Sequence, residues 1–171
     1  MIRKISAVFI VVLLTIILTS AATAQSEEVV IHPLRDRNKT FTVHVGQVVK
    51  IRYGWGAASR GLVQSYINAV DQEHTLNGAS LFASSREAKQ YWGPIEPATP
   101  ATVALCPNKP QDTLFFSYWV YRLPDLPPGA YNLHTDVSVN HPMIDGCDWD
   151  GDGKLDRGDA SWWSTITIIV E

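Results

Sequence analysis

Five aspartates fall within twelve residues in the stretch Asp148-Trp149-Asp150-Gly151-Asp152-Gly153-Lys154-Leu155-Asp156-Arg157-Gly158-Asp159. They occupy its first, third, fifth, ninth and twelfth places, and glycine holds the sixth. Carboxylates packed this closely repel one another unless a cation neutralises them. A hard cation with many oxygen ligands suits such a stretch, so calcium is the expected cofactor. Magnesium is less apt, because it keeps more of its own water.

The spacing resembles the loop of the EF-hand family and of its relatives with a D-x-D-x-D-G core, such as dockerin-type and thrombospondin-type loops. The resemblance is confined to residues 148–159. It implies that Asp148, Asp150 and Asp152 give side-chain oxygens, that Gly153 makes the sharp turn, and that Lys154 gives its backbone carbonyl. Asp156 would bind directly or through a water, and Asp159 would close the site. Two departures shape the expectation. Asp159 is shorter than the bidentate glutamate usual at the last place, and residues 132–142 alternate like a strand, so no helix leads in and no second loop exists. A calcium sensor needs helices whose angle changes on binding; the expected role here is therefore structural. Arg157-Gly158-Asp159 also spells an adhesive tripeptide, but its aspartate is already required by the loop.

Other chemistry is sparse. The chain holds no Gly-x-Ser-x-Gly, no His-Glu-x-x-His and no glycine-rich phosphate loop. Glu73, Glu87 and Glu96 offer carboxylates to a secreted hydrolase, which is one alternative, yet their spacing defines no pair. The expectation is a binding or adhesion protein and not an enzyme. Six tryptophans, Trp55, Trp92, Trp119, Trp149, Trp162 and Trp163, are many for this length. Adjacent Trp162 and Trp163 must face opposite sides of a strand. Exposed indoles stack on sugar rings, so a carbohydrate-binding module is a second alternative, with polysaccharide or another extracellular protein as partner.

The compartment follows from the N-terminus. Arg3 and Lys4 precede an apolar run from Ile5 to Leu18 and a small-residue exit, Ala22-Thr23-Ala24. That is the pattern of a signal peptide over residues 1–24, cleaved before Gln25. Uncleaved, the same segment would anchor an extracytoplasmic domain to a membrane. Residues 25–171 would then form a single secreted domain with 12 basic residues against 17 acidic, a net charge of −5. Such a balance argues against nucleic acid as partner. Cys106 and Cys147, both in the exported part, are expected to form a disulfide. Closing a segment of about 40 residues would restrict the unfolded chain by about 4 kcal/mol, and the bridge would clamp the entrance of the aspartate loop.

The elements that must position the loop read mainly as strands. Val29 to Ile31 suggests a short one. Phe41 to Val45 and Val49 to Trp55 alternate with period two, as a hairpin or adjacent pair. Leu62, Val63, Tyr66, Ile67 and Val70 mark one face of a helix capped by Ser59. Asn77-Gly78 signals a type I′ hairpin, and Ser84 with Glu87 has capping-box spacing before a second short helix. From Gly93 to Pro110 prolines impose an extended loop. Leu114 to Leu123, Tyr131 to Val139 and Trp162 to Val170 complete about seven strands. The Pro128-Gly129-Ala130-Tyr131 step resembles that of immunoglobulin-like and fibronectin-like domains. The expected fold is mainly β, an immunoglobulin-like antiparallel β-sandwich with one or two short helices inserted and the calcium loop between its last two strands.

Overall fold

The structure, a computed structural model, describes residues 28–98, 114–146, 148, 151–152 and 160–171, and the backbone alone at 157–158. The fold is mainly β, with two main sheets and a few short helical segments. One sheet has four strands in the order β1-β3-β7-β6, formed by β1 (Val29–Ile31), β3 (Val49–Ala57), β7 (Phe115–Arg122) and β6 (Glu96–Pro97). The other has five in the order β2-β11-β8-β4-β5: β2 (Thr40–Val43), β11 (Trp162–Val170), β8 (Gly129–Ser138), β4 (Asp71–Leu76) and β5 (Ala79–Ser80). A ribbon of β9 (Met143–Ile144) and β10 (Arg157–Gly158) stands apart from both.

The period-two alternation of the sequence translates directly into the core. Val49, Ile51 and Tyr53 of β3, Ser117 and Trp119 of β7, Leu133, Thr135 and Val137 of β8, and Ser164, Ile166, Ile168 and Val170 of β11 are buried. Their strand neighbours face outward. Trp119, Tyr53 and His74 stack at the centre, with ring centroids 4.9 Å apart for Tyr53–Trp119 and 4.4 Å for His74–Trp119. Trp119 Nε1 donates to the Ala88 carbonyl at 2.7 Å, so the one polar atom of this buried indole is satisfied.

Two pairings depart from the expected architecture. β2 and β3 are not a hairpin: Gly46, at φ +81°, turns the chain between the sheets, and β2 pairs instead with β11. Both β1–β3 and β2–β11 are parallel, so the sheets are antiparallel only in their interior and at their other edges. Alternation shows which face of a strand is buried but carries no information about its partner.

The helices fall where the capping residues indicated. α1 (Arg60–Ala69) starts at Ser59, whose Oγ accepts from the Leu62 amide at 3.2 Å, and buries Val63 and Tyr66. Tyr66 stacks on Trp55 at 4.2 Å, fixing the helix against β3. α2 (Ser85–Ala88) is capped by Ser84; the Glu87 carboxylate takes the amide of Ala83 instead of the cap's own. Asn77 and Gly78, at φ +51° and +78°, make the turn between β4 and β5. Both central residues at positive φ is what a type I′ turn demands. The described part of the proline-rich segment is extended and includes β6, whose Glu96 and Pro97 pair with Phe116 and Phe115. Among the described residues no helix is long and apolar enough to cross a membrane.

Candidate calcium loop and outer-face groove

β8 leads through residues 139–142 into β9, and the aspartate stretch follows β9, includes β10 and ends just before β11. Ile144 stands opposite Arg157 and Met143 opposite Gly158, so an antiparallel ladder closes the stem of the loop. The stem is fastened to the body of the fold on two sides. Met143 is buried in the main core, and the Asp145 carbonyl accepts from the Ala58 amide at 2.6 Å, next to the Ser59 cap of α1. Gly146 follows at φ +81°, and a Cβ placed on it would lie 2.4 Å from the Ala58 Cβ and 3.3 Å from Leu62 Cδ1. Only glycine fits this approach, because both the backbone region and the space forbid a side chain.

Asp148, the first place of the pattern, is 6% exposed. Its Oδ1 accepts the Gly151 amide at 2.7 Å across a turn in which Gly151 takes φ +80°. The side chain thus folds the loop back on itself, the local hydrogen bonding for which Asp is favoured in turns. Asp152, the fifth place, is exposed in the same turn. Asp150, Lys154, Asp156 and Asp159 lie outside the described residues, as do Cys106 and Cys147. Among the described residues no three His, Cys, Asp or Glu side chains gather as a metal site; Asp148 and Asp152 are the described members of the aspartate set.

The hydrolase candidates do not converge. Glu87 is engaged in the α2 cap, Glu73 lies on the outer face of β4 opposite Asp136, and Glu96 sits on β6 in the other sheet. The aromatic residues divide sharply. Of the five described tryptophans, Trp119 is wholly buried, Trp55, Trp92 and Trp162 are half-buried, and Trp163 alone is exposed, at 52%. Its ring is approached by Arg37, whose guanidinium carbon is 5.2 Å from the centroid, and by the His134 ring at 6.4 Å.

His74 is a strongly perturbed ionisable group. It is fully buried, with Nε2 3.2 Å from Tyr53 Oη and Nδ1 3.3 Å from Thr135 Oγ1. Burial, with a smaller contribution from His134, pushes its imidazole down to about 3. It is a neutral core histidine packed against Tyr53, Phe82 and Trp119.

Sequence reasoning missed a second surface, on the outer face of the four-stranded sheet. In Arg52-Tyr53-Gly54-Trp55-Gly56 the glycines alternate with inward aromatics, and the register sets Gly54 opposite Tyr118 and Gly56 opposite Phe116. A Cβ on Gly54 would come within 2.4 Å of the Phe116 ring and 2.8 Å of the Tyr118 ring, so both rings lie against bare backbone. They border a groove of about 430 Å³. The signal was present as glycine at every second strand position, which permits a close approach by whatever stands opposite.

No family model and no curated protein matches the chain in sequence. Among solved structures the chain is similar to a cysteine protease inhibitor from Entamoeba histolytica, with 8% identity, a TM-score of 0.35, and coverage of 84% of this chain and 94% of that one.

Proposed function

We propose that this chain is an exported binding domain whose β9–β10 loop holds a structural calcium ion. The observation that carries the reading is the buried Asp148 carboxylate, which already bends the loop through the Gly151 amide above a stem locked to the fold by Ala58 and Gly146. A carboxylate kept largely from water at the first place of a five-aspartate pattern suits a cation. Asp148, Asp150, Asp152, Asp156 and Asp159, with the Lys154 carbonyl, would hold it. When bound, the ion would supply neutralising charge. The chain's own residues do the rest: Asp148 shapes the turn, and the Met143–Ile144 ladder with Arg157–Gly158 carries the constraint to both ends of the loop. The loop then acts as a clamp between β8 and β11 and not as a sensor, which requires helices whose angle changes on binding.

The signal-peptide pattern of residues 1–24 and the two cysteines expected to pair, Cys106 and Cys147, support an extracytoplasmic protein that acts by binding. Thermal melts in calcium and in chelator test the proposal. An ion at a hundredfold excess over its Kd contributes about 2.7 kcal/mol, which in a chain of this size is about 5–11 °C of Tm. Asp156→Ala should abolish the shift; identical melts in calcium and chelator for the wild type refute it.

A further inference from the structure

The groove on the four-stranded sheet has the make-up of a ligand site. Phe116 and Tyr118 provide ring surface held against Gly54 and Gly56, with centroids 4.7 Å apart. The Arg52 guanidinium carbon lies 3.9 Å from the Tyr118 centroid, which fixes the arginine in place. Its Nε is buried with no hydrogen-bond partner, and the side chain forms part of the groove's lining. Glu28 and Lys50, paired at 2.6 Å, and Glu96 complete the polar lining.

We propose that this groove binds a neutral oligosaccharide. The inference rests on the reading of the chain as an exported binding domain and names its ligand class and site. Charge selects the ligand: Lys50 and Arg52 balance Glu28 and Glu96, so the groove favours neither anions nor cations. It offers donors and acceptors together beside apolar ring surface. A pyranose has the complementary arrangement, an apolar C–H face bordered by hydroxyls that both donate and accept. The volume of about 430 Å³ lies within the range of small-molecule sites. Aromatic cover of strand glycines accounts for the placement of the rings, but it leaves the groove itself without a role. The exposed indole on the opposite sheet is a poorer platform, since Arg37 and His134 already approach the Trp163 ring.

Calorimetric titration of the purified protein with cellohexaose, xylohexaose, laminarihexaose and chitohexaose tests this, in calcium and in chelator. The expected result is saturable binding of at least one, weakened at least tenfold by Tyr118→Ala and by Arg52→Gln, and unchanged by Trp163→Ala. Arg52→Gln removes a guanidinium without opening the core, so it remains informative if Tyr118→Ala lowers the melting temperature. No binding of any of the four overturns the proposal, as does binding that survives Arg52→Gln or that Trp163→Ala alone abolishes. Its failure is separable from that of the calcium reading: a calcium-dependent melt without sugar binding removes only the groove, and sugar binding without a calcium-dependent melt removes only the loop.

Discussion

Acidification should destabilise the protein chiefly through His74. Its ring touches Trp119, Tyr53 and Phe82, and its nitrogens face the hydroxyls of Tyr53 and Thr135; no carboxylate is among these partners to stabilise a charge. The imidazole, at 6.5 in the unfolded chain, is held down to about 3 in the fold, so the native state refuses a proton that the unfolded state accepts. Stability is therefore full above 6.5 and falls as pH drops from there toward 3. Each unit costs about 1.4 kcal/mol, or about 3 kcal/mol between pH 6.5 and 4.5. Urea unfolding at pH 7.5, 6.5, 5.5 and 4.5, in chelator to remove metal linkage, measures the slope. His32 is also lowered, chiefly by burial and then by Arg35, and adds to it in the same direction. Asp36 does not intrude. Burial alone would raise its carboxyl, but hydrogen bonds from the His32 amide and Lys39 outweigh this and hold it below 3.8, so its contribution is lost only at lower pH. His74→Gln retains hydrogen-bonding atoms and removes the titration, so the difference between wild type and variant isolates His74. Equal slopes in the two proteins would refute the assignment.

Gly146→Ala should cost about 2–4 kcal/mol, combining a left-handed backbone with overpacking against Ala58, and urea unfolding checks it; a change below about 0.5 kcal/mol would show that the loop stem is not locked to α1. Trp119→Ala should cost about 3–5 kcal/mol through the cavity it opens and the loss of its hydrogen bond to the Ala88 carbonyl. A cost near 1 kcal/mol would mean that the stacked centre is not tightly packed.

The sequence revealed faces and caps better than partners. Ser59, Ser84 and Asn77-Gly78 act within a few residues of themselves, and the structure places each as its side-chain chemistry dictates. β2 pairs with β11 across most of the chain's length, and nothing local encodes that choice. The aspartate stretch was legible as chemistry because its five aspartates fall within twelve residues. Its anchoring was not, since Gly146 against Ala58 and Met143 in the core are contacts between distant residues. The tryptophans drew attention by number, yet the ring surface beside the groove belongs to Phe116 and Tyr118, exposed by glycines on the facing strand. Residue type alone does not show which rings reach solvent.

The central claim is a single calcium ion in the β9–β10 loop, and direct titration of the metal-free protein with Ca²⁺ by calorimetry addresses it without recourse to stability. The account predicts one ion per chain with a Kd in or below the range of about 10⁻⁴–10⁻³ M common to extracellular modules, and no binding after Asp150→Ala combined with Asp152→Ala. Absence of saturable binding to millimolar calcium, or binding that persists in the double variant, would contradict it.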